Sequence, residues 1–210
     1  MVSKKEFYAA LCERHGREIQ RKISSASVGI AGLGGLGSNI AVHLARLGIG
    51  RLVICDFDKV DITNINRQSY NLKDIGVYKT TALKKQLLKI HPWIDCKTCN
   101  VRITPENVTL IFGDCDIICE AFDKPDQKAM LIESVVYDLP NIPLICGSGM
   151  AGYGSSNAIK TERRFKNVYI CGDGKTGIEN GAELMSPRVG ICAAHQANMA
   201  LRLILGITTS

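Results

Sequence analysis

The feature that most constrains this chain is a glycine-rich turn, GIAGLGGLGS, at residues 29–38. Gly32, Gly34 and Gly37 have GxGxxG spacing, with an apolar stretch before them and an amphipathic stretch after them. In a strand–turn–helix unit the first glycine allows the tight turn, the second lets a phosphate approach the backbone, and the third lets helix and strand pack closely. The turn therefore predicts a nucleotide site, and it leaves open whether the ligand is a dinucleotide or ATP.

The rest of the chain alternates between short apolar and longer amphipathic segments, which is typical of a parallel sheet with helices on both faces. The pattern predicts strands at residues 27–32, 51–58, 96–103, 115–123 and 142–149. Helices are predicted at residues 36–50, closed by Gly48, and at 80–90, 105–112 and 126–138. A helix over 4–22 precedes this unit, and two short antiparallel strands, 151–160 and 166–173, and an apolar helix over 191–206 follow it.

These elements predict one α/β domain over residues 1–210, with an N-terminal helical arm over about 1–23. The fold class is a Rossmann-like, doubly wound and mostly parallel sheet, with antiparallel C-terminal strands and an N-terminal helix. In such a sheet the ligand crevice lies at the carboxyl ends of the strands, so polar residues at those ends are the first candidates for function.

Composition narrows the class of protein further. The net charge of +6 at pH 7 favours an acidic partner or a polyphosphate through long-range attraction. No basic stripe interleaved with aromatic residues is present in the sequence, so nucleic-acid binding is not favoured. No apolar run approaches the roughly 20 residues that span a bilayer, and the charged N-terminus does not resemble a secretory signal. We therefore expect a cytoplasmic protein without a membrane partner.

The nine cysteines are expected to be reduced thiols, most of them small apolar groups of the strands. Cys96 and Cys99 have the CxxC spacing of many zinc sites, but no second pair or histidine cluster in the sequence accompanies them. Residues three apart in a strand also face opposite sides of a sheet, which makes a shared metal unfavourable. We expect no zinc.

Polar residues beyond the glycine turn help to separate the two candidate ligands. Asp56 ends the second predicted strand, where a carboxylate can accept hydrogen bonds from ribose hydroxyls, and Asp123 ends the fourth. A dinucleotide needs little beyond Asp56, whereas this chain adds several polar groups before its next helix: Asp58, Asn64, Arg67, Gln68 and Lys79. The two cations suit a triphosphate, and the carboxylate at a strand end suits Mg²⁺.

Taken singly, each of these residues has a purely structural alternative. Arg67 and Lys79 could be solvated surface cations, and Asp58 could cap a turn. Asp123 could be the N-cap of the helix over 126–138. Their order along the chain, after a GxGxxG unit, favours one shared nucleotide site.

Two blocks of sequence carry a family resemblance. GLGGLGSNIAVHLARLGIGRLVICDFDKVDITNINRQ, with Lys79 and Asp123 beyond it, resembles the ubiquitin-activating-enzyme-like adenylyltransferases, and among them the ThiF family of the bacterial thiamine pathway. CEAFDKPDQKAM and GDGKTGIENGAELMSPRVGICAAHQAN are similar to a short variety of that family without the zinc module. The resemblance implies adenylation, with ATP and Mg²⁺, of the C-terminal Gly-Gly carboxylate of a small ubiquitin-like sulfur carrier protein (ThiS-like) for thiamine thiazole biosynthesis.

The resemblance also implies a role for each residue of the site. The phosphates would lie along the four glycines Gly32, Gly34, Gly35 and Gly37. The ribose would be held by Asp56 and Mg²⁺ by Asp123. Further contacts with ATP are implied for Asp58, Thr63, Asn64, Arg67, Gln68, Lys79 and Lys124. The segment RHGREI is similar to the family's Arg-Tyr-x-Arg-Gln, which implies a homodimer in which Arg17 reaches into the partner's ATP site. The implied catalytic residues are Arg17, Arg67, Lys79 and Asp123.

The chain departs from the family pattern at three points. Lys124 stands where the family usually has asparagine after the metal-binding aspartate. Cys171 and Cys192 are isolated where zinc-binding members carry CxxC pairs. The stretch that would cover the carrier's tail, residues 172–190, contains no cysteine. Cys171 is the remaining candidate for a covalent intermediate, and the nearby Asp173 opposes the low pKa that a thiolate nucleophile needs.

Three other functions remain open at this point. Within the same chemistry, the carrier could be of another type, such as the small subunit of molybdopterin synthase. An NAD-dependent oxidoreductase would use the glycine turn and Asp56 but would leave Arg67, Lys79 and Asp123 without a role. A non-catalytic protein that docks a ubiquitin-like partner would not need the full set of charged residues.

Overall fold

The computed structural model describes residues 2–177 and 183–210, and within them one seven-stranded sheet. The strands are β1 (Ser27–Ala31), β2 (Arg51–Cys55), β3 (Asp95–Cys99), β4 (Ile117–Glu120), β5 (Leu144–Gly147), β6 (Lys160–Phe165) and β7 (Val168–Gly172). Their order across the sheet is β3-β2-β1-β4-β5-β7-β6, with every neighbouring pair parallel except β6 and β7. The predicted Rossmann-like α/β class is confirmed.

Seven α-helices pack around the sheet in the described part of the chain. They are α1 (Lys4–His15), α2 (Arg17–Ser25), α3 (Gly35–Leu47), α4 (Lys79–Ile90), α5 (Pro105–Phe112), α6 (Pro125–Asp138) and α7 (Ser186–Ile204). None of the described helices is long and apolar enough to cross a membrane.

The sheet is buried on both faces because its strands are apolar at consecutive positions. In β2, Leu52 and Ile54 belong to the core cluster under α3, α4 and α7, whereas Val53 and Cys55 belong to the cluster under α5 and α6. The same alternation separates the CxxC pair. Cys96 lies in the first cluster and the half-buried Cys99 packs against the second, so the two thiols face opposite sides of the sheet as predicted.

Three element boundaries differ from the sequence prediction. The N-terminal helix is interrupted at Gly16, whose φ of 87° lies in the left-handed region and ends α1 before α2 begins. The antiparallel strand predicted at 151–160 lies instead at β6, after a loop that contains a short 3₁₀ turn at Ser156–Ala158. The C-terminal helix begins at Ser186 rather than 191, with Pro187 in its first turn, where proline is favoured.

Strand order explains where a ligand can enter. The connections out of β1 and β4 lead in opposite directions across the sheet, so a crevice opens between the carboxyl ends of these two strands. The glycine turn follows β1 and Asp123 follows β4, which brings two segments that are about 90 positions apart to the same crevice.

Candidate active site

A cleft of about 700 Å³ occupies this edge of the sheet. Its lining contains most of the residues that the sequence singled out: Gly32, Gly34, Gly35, Asp56, Asp58, Asn64, Arg67, Gln68, Lys79, Asp123 and Lys124. Gly37, Thr63 and Arg17 are not part of the lining. The cationic lining residues are Arg67, Lys79, Arg102, Lys124, Lys128 and Lys175, against the acids Asp56, Asp58 and Asp123. This excess of positive charge suits a polyphosphate.

The glycines of the turn have different functions. Gly32 has a φ of 88°, and a Cβ there would lie 3.0 Å from the carbonyl oxygen of Ala121. Gly34 is the N-cap of α3 and makes no side-chain cap, so the helix presents backbone N–H groups at the cleft. Gly37 is buried, and its Cβ would lie 1.9 Å from the carbonyl oxygen of Gly32. Gly37 therefore serves the packing of helix on strand, while Gly34 and Gly35 face the cleft.

Asp56, Asp58 and Lys79 form a connected group at the end of β2. The buried Asp56 carboxylate accepts the backbone N–H groups of Leu33, at 2.7 Å, and Asp58, at 2.8 Å. Lys79 Nζ lies 3.1 Å from Asp58 Oδ2 and 4.0 Å from Asp56 Oδ2. Burial raises the pKa of Asp56, and the Lys79 ammonium opposes that rise. Lys79 is itself buried, so the interpretation of this residue as a solvated surface cation is wrong.

The loop after β2 places three further polar side chains at the cleft. A 3₁₀ turn at Ile62–Asn64 is capped by Asp61, and the backbone N–H groups of Arg67 and Gln68 donate to the carbonyl oxygen of Asn64. One terminal nitrogen of the Arg67 guanidinium donates to the carbonyl oxygen of Thr63, at 3.0 Å. Arg67 Nε and Gln68 Oε1 are buried without a hydrogen-bond partner among the described residues. Both side chains therefore retain capacity for a ligand.

Asp123 lies one residue before the N-cap of α6. The N-cap is Lys124, which makes no side-chain cap, so the alternative that Asp123 caps this helix is wrong. The exposed Asp123 carboxylate has no hydrogen bond or ion pair with a described residue. Within residues 2–177 and 183–210 no group of three or more metal-binding side chains is present. An exposed carboxylate without a partner has the chemistry to hold a Mg²⁺ ion whose other ligands are substrate phosphates and water, the usual arrangement for this ion.

Three cations of the lining were missed by the sequence analysis: Arg102, Lys128 and Lys175. Lys128 donates to both oxygens of the fully buried Glu120, at 2.8 and 2.9 Å, and Glu120 also accepts the N–H of Phe122. Burial raises the pKa of Glu120, and Lys128 opposes the rise. The Arg102 guanidinium lies 4.3 Å from the ring centre of Phe57. The signal in the sequence for the Glu120–Lys128 pair is the glutamate inside the mostly apolar segment CDIICEAF.

Comparison with known proteins identifies the family of the chain. Residues 8–210 match the model of the ThiF family. The chain belongs to the ThiF family. The adenylyltransferase and sulfurtransferase UBA4 of Kluyveromyces lactis is 30% identical over 94% of this chain and 45% of its own length. The adenylyltransferase and sulfurtransferase MOCS3 of Anopheles gambiae is 28% identical over 90% of this chain and 44% of its own. This ThiF-family chain thus spans less than half the length of these two relatives.

Solved structures share the fold. The E. coli tRNA N6-threonylcarbamoyladenosine dehydratase TcdA, in complex with AMP, matches with a TM-score of 0.86 and 20% identity over 98% of both chains. E. coli MccB with ATP matches with a TM-score of 0.71 and 25% identity, over 96% of this chain and 64% of MccB. The seven-stranded architecture of the ThiF-family chain is therefore that of proteins crystallised with adenine nucleotides.

Arg17 lies outside the cleft of its own ThiF-family chain. It is the first residue of α2, directly after the break at Gly16, and its side chain is exposed. A role in a partner's site therefore requires a second subunit, and it stays a prediction.

Cys171 is poorly suited to nucleophilic chemistry. Its side chain is fully buried at the end of β7, and burial raises the pKa of the thiol to about 11, although the Thr161 hydroxyl at 3.4 Å opposes the rise. A thiolate nucleophile needs a lowered pKa and an accessible sulfur. Of the stretch expected to cover a carrier's tail, residues 172–190, positions 178–182 lie outside the described residues.

Proposed function

We propose that this ThiF-family protein adenylates the C-terminal Gly-Gly carboxylate of a small ubiquitin-like sulfur carrier protein, ThiS-like, with ATP as the co-substrate. The observation that carries the proposal is the convergence, in one cleft, of a helix N-terminus, the Asp56–Lys79 pair, Arg67 and Asp123. This set provides for a ribose, a chain of phosphates and a metal ion, and it exceeds what a dinucleotide bridge requires.

The reaction needs no nucleophile from the protein, because the carrier's carboxylate is already an anion. A carboxylate oxygen attacks the α-phosphorus of ATP, the bond between that phosphorus and the bridging oxygen to the β-phosphate breaks, and pyrophosphate leaves. The products are a carrier acyl-adenylate and pyrophosphate. The protein's contribution is to align the two reactants and to stabilise negative charge on the phosphates.

Specific groups of this chain are assigned to that charge. Arg67 and Lys79 flank the glycine turn, and the free N–H groups of the first turn of α3 add partial positive charge. Asp123 would hold Mg²⁺ together with the phosphates, and the ion would supply further neutralisation of their charge. Asp56 keeps two backbone N–H bonds that fix its carboxylate at the edge of the cleft, where a ribose is expected.

We also propose that the active form is a homodimer. Arg17 cannot complete its own cleft, and the segment between β2 and α4 carries five exposed apolar side chains: Ile62, Leu72, Ile75, Val77 and Tyr78. Exposed apolar side chains are typical of a subunit interface where they form one patch. Placing Arg17 of one subunit at the partner's cleft would supply one more cation to the phosphates.

Pyrophosphate exchange tests the central proposal. Purified protein with ATP, Mg²⁺ and a Gly-Gly carrier should incorporate labelled pyrophosphate into ATP, and removal of the carrier's last glycine should abolish the incorporation. Asp123→Asn should lower the exchange rate on the order of 10²–10³-fold, as loss of one charge-stabilising contact does elsewhere. Asp126→Asn is the matched control, because Asp126 is exposed in the first turn of α6 but does not line the cleft. Equal activity of the two variants would contradict the metal assignment.

A panel of acceptors identifies the substrate. We expect a ThiS-type carrier to give a higher kcat/KM than a carrier of the molybdopterin synthase small-subunit type. A tRNA is the second candidate acceptor, because the structural relative that matches over 98% of both chains is named a tRNA dehydratase. Pyrophosphate exchange that requires tRNA and proceeds with no carrier present would favour tRNA as the acceptor.

Tight binding of NAD and weak binding of ATP, measured by calorimetry, would instead support an oxidoreductase. Carrier binding that does not depend on ATP would support a docking protein.

Subunit mixing tests the dimer. Arg17→Ala and Arg67→Ala should each be inactive alone, whereas an equal mixture should regain about one quarter of wild-type activity, since half of the pairs in a two-fold dimer then carry one intact site. Arg21→Ala is the control, because Arg21 is an exposed cation on the same helix, and it should stay active. An inactive mixture, despite demonstrated subunit exchange, would contradict action across the interface.

A further inference from the structure

Arg188 is a buried cation that the proposed reaction does not use. It lies in the first turn of α7, and one terminal nitrogen is 2.5 Å from Asp173 Oδ2. The other terminal nitrogen donates to the carbonyl oxygen of Ser155, at 3.3 Å. The side chains of Arg188 and Asp173 are only 5% and 10% exposed. An ion pair held away from water in this way is strongly position-specific, because either partner alone would be a buried charge.

Asp173 in turn organises the short segment after β7. Its Oδ1 accepts the backbone N–H groups of Lys175, at 2.8 Å, and Thr176, at 2.9 Å, and its Oδ2 accepts the Thr176 hydroxyl, at 2.8 Å. Burial by itself would raise the pKa of Asp173, but these donors and Arg188 together lower it. Asp173 is therefore an anion that closes the turn at 173–176, and residues 174–177 line the cleft.

The surrounding backbone is shaped to admit this ion pair. A Cβ on Gly149 would lie 2.1 Å from Asp173 Oδ1, and a Cβ on Gly154 would lie 2.7 Å from a terminal nitrogen of Arg188. Gly149 also has a φ of 81°, in the left-handed region. Side chains at these two positions would displace the pair, so the loop after β5 and the ion pair fit one another.

Three segments therefore meet at one ion pair: the loop at 148–155 after β5, the turn at 173–176 after β7, and the start of α7. Ser148, Gly149, Met150 and Ala151 of the loop line the cleft, as do residues 174–177 of the turn. The groups assigned to the nucleotide and its metal ion follow β1, β2 and β4, whereas these two segments follow β5 and β7, farther along the sheet. Residues 148–151 and 174–177 form the wall of the cleft on the β5 and β7 side. This wall is the part of the cleft that the nucleotide groups leave for the second reactant.

We propose that the Asp173–Arg188 pair positions this wall for the acceptor carboxylate, an inference that rests on the proposed adenylation. Arg188 acts through Asp173 and the loop backbone and is a positioning residue. Its loss should weaken use of the carrier, because a displacement of about 1 Å between reacting groups can cost about 10²-fold in rate. ATP binding should change little, since the glycine turn, Asp56 and Lys79 share no hydrogen bond or ion pair with Asp173 or Arg188 among the described residues.

Steady-state kinetics distinguishes an effect of a substitution on use of the acceptor from an effect on binding of the nucleotide. Arg188→Gln should lower kcat/KM for the Gly-Gly carrier about 10²-fold, mainly through kcat, and should leave the Kd for ATP within about twofold. Arg188→Lys should recover part of the loss, because an ammonium can pair with Asp173 but cannot also hold the Ser155 carbonyl in the same fork. Arg164→Gln is the matched control, because Arg164 pairs with Glu162 at the same 2.5 Å but both side chains are about half exposed.

Hydrogen–deuterium exchange gives a readout that needs neither ATP nor carrier. Peptides covering 148–155 and 173–177 should exchange faster in Arg188→Gln and in Asp173→Asn than in wild type, and should be unchanged in Arg164→Gln. Unchanged exchange in both variants would overturn the positioning role, whatever the reaction. An equal loss of ATP affinity and carrier use would overturn the assignment to the acceptor.

The same pair of experiments distinguishes failure of this inference from failure of the proposed function. If wild type shows no pyrophosphate exchange with any acceptor, the adenylation proposal fails and the assignment to its acceptor fails with it. The deuterium result still decides whether the ion pair holds the two segments. If Arg188→Gln does not fold, Arg188→Lys and Asp173→Asn provide the same comparison with less disruption.

Discussion

Replacing Lys79 by methionine should lower the free energy of unfolding, because it leaves a buried carboxylate without its cation. Lys79 and Asp56 are each only 8% exposed, and Lys79 Nζ lies 4.0 Å from Asp56 Oδ2. Two unit charges at that separation interact with about 4 kcal/mol at an effective dielectric constant of about 20. Lys79→Met also removes the desolvation penalty of the ammonium, and Asp56 keeps its two backbone donors, so we expect a net loss of about 2 kcal/mol.

The second ion pair of Lys79 contributes little to this figure. Asp58 is 51% exposed, so its interaction at 3.1 Å is screened by water and is expected to be worth about 0–1 kcal/mol. Asp58→Asn is therefore the control, and its free energy of unfolding should stay within about 1 kcal/mol of the wild-type value.

A double-mutant cycle isolates the buried pair. Asp56→Asn alone loses one of its two acceptor oxygens for backbone N–H groups, which costs on the order of 1–3 kcal/mol. Once Asp56 is neutral, removal of Lys79 no longer strands a charge, so the double variant should be more stable than the sum of the single effects by at least about 1 kcal/mol. Urea unfolding at pH 7.5 without nucleotide measures all three variants.

Two results would refute this reasoning. One is a Lys79→Met variant within about 0.5 kcal/mol of wild type, which is the usual range for surface changes. The other is strict additivity in the cycle, which would show that the two side chains do not interact in the folded protein.

Three further outcomes are expected. Gly37→Ala should destabilise the protein by at least about 2 kcal/mol in urea unfolding, because the new Cβ would lie 1.9 Å from the Gly32 carbonyl oxygen and backbone must move. Gly190→Ala, in a helix with nothing within 4 Å of the new Cβ, should instead stabilise it by about 0.5–1 kcal/mol; the reverse order of the two variants would contradict the packing role of Gly37. Burial lowers the pKa of His43 and of His91 below the ordinary 6.5, so their contribution to stability is present above that pH and is lost as the pH falls through the folded-state values. The fall in Tm between about pH 7.5 and 5.5 should therefore be smaller in a His43→Gln/His91→Gln variant than in wild type, and an equal fall would contradict this linkage.

Much of the cleft could be predicted because its residues stand at the ends of predicted strands. Asp56 follows β2 and Asp123 follows β4, and parallel strands bring their carboxyl ends to one edge of the sheet. GxGxxG spacing likewise fixes a local turn, since the backbone geometry it needs depends on a few neighbouring residues. Patterns of this kind depend on residues close in the sequence and do not depend on how distant segments pack.

Local spacing did not reveal the roles that depend on distant neighbours. The sequence predicted Lys79 as a contact of the triphosphate, with a solvated cation as the alternative. Only the structure shows that its side chain is buried beside Asp56 and Asp58. The sequence predicted one continuous N-terminal helix over 4–22, because the apolar spacing continues through Gly16. In the structure the backbone of Gly16 has a positive φ and interrupts the helix.

The sequence by itself determined the class of the sheet, the glycine turn and the edge of the sheet at which the cleft opens, because each of these follows from periodicity and strand direction. Only the tertiary structure decided which charges are buried together, as in Glu120 with Lys128 and Asp173 with Arg188. These partners lie on different elements, and a charge is stable in the interior only where the folded chain supplies an opposite charge. That condition depends on three-dimensional distance, which spacing along the chain does not fix.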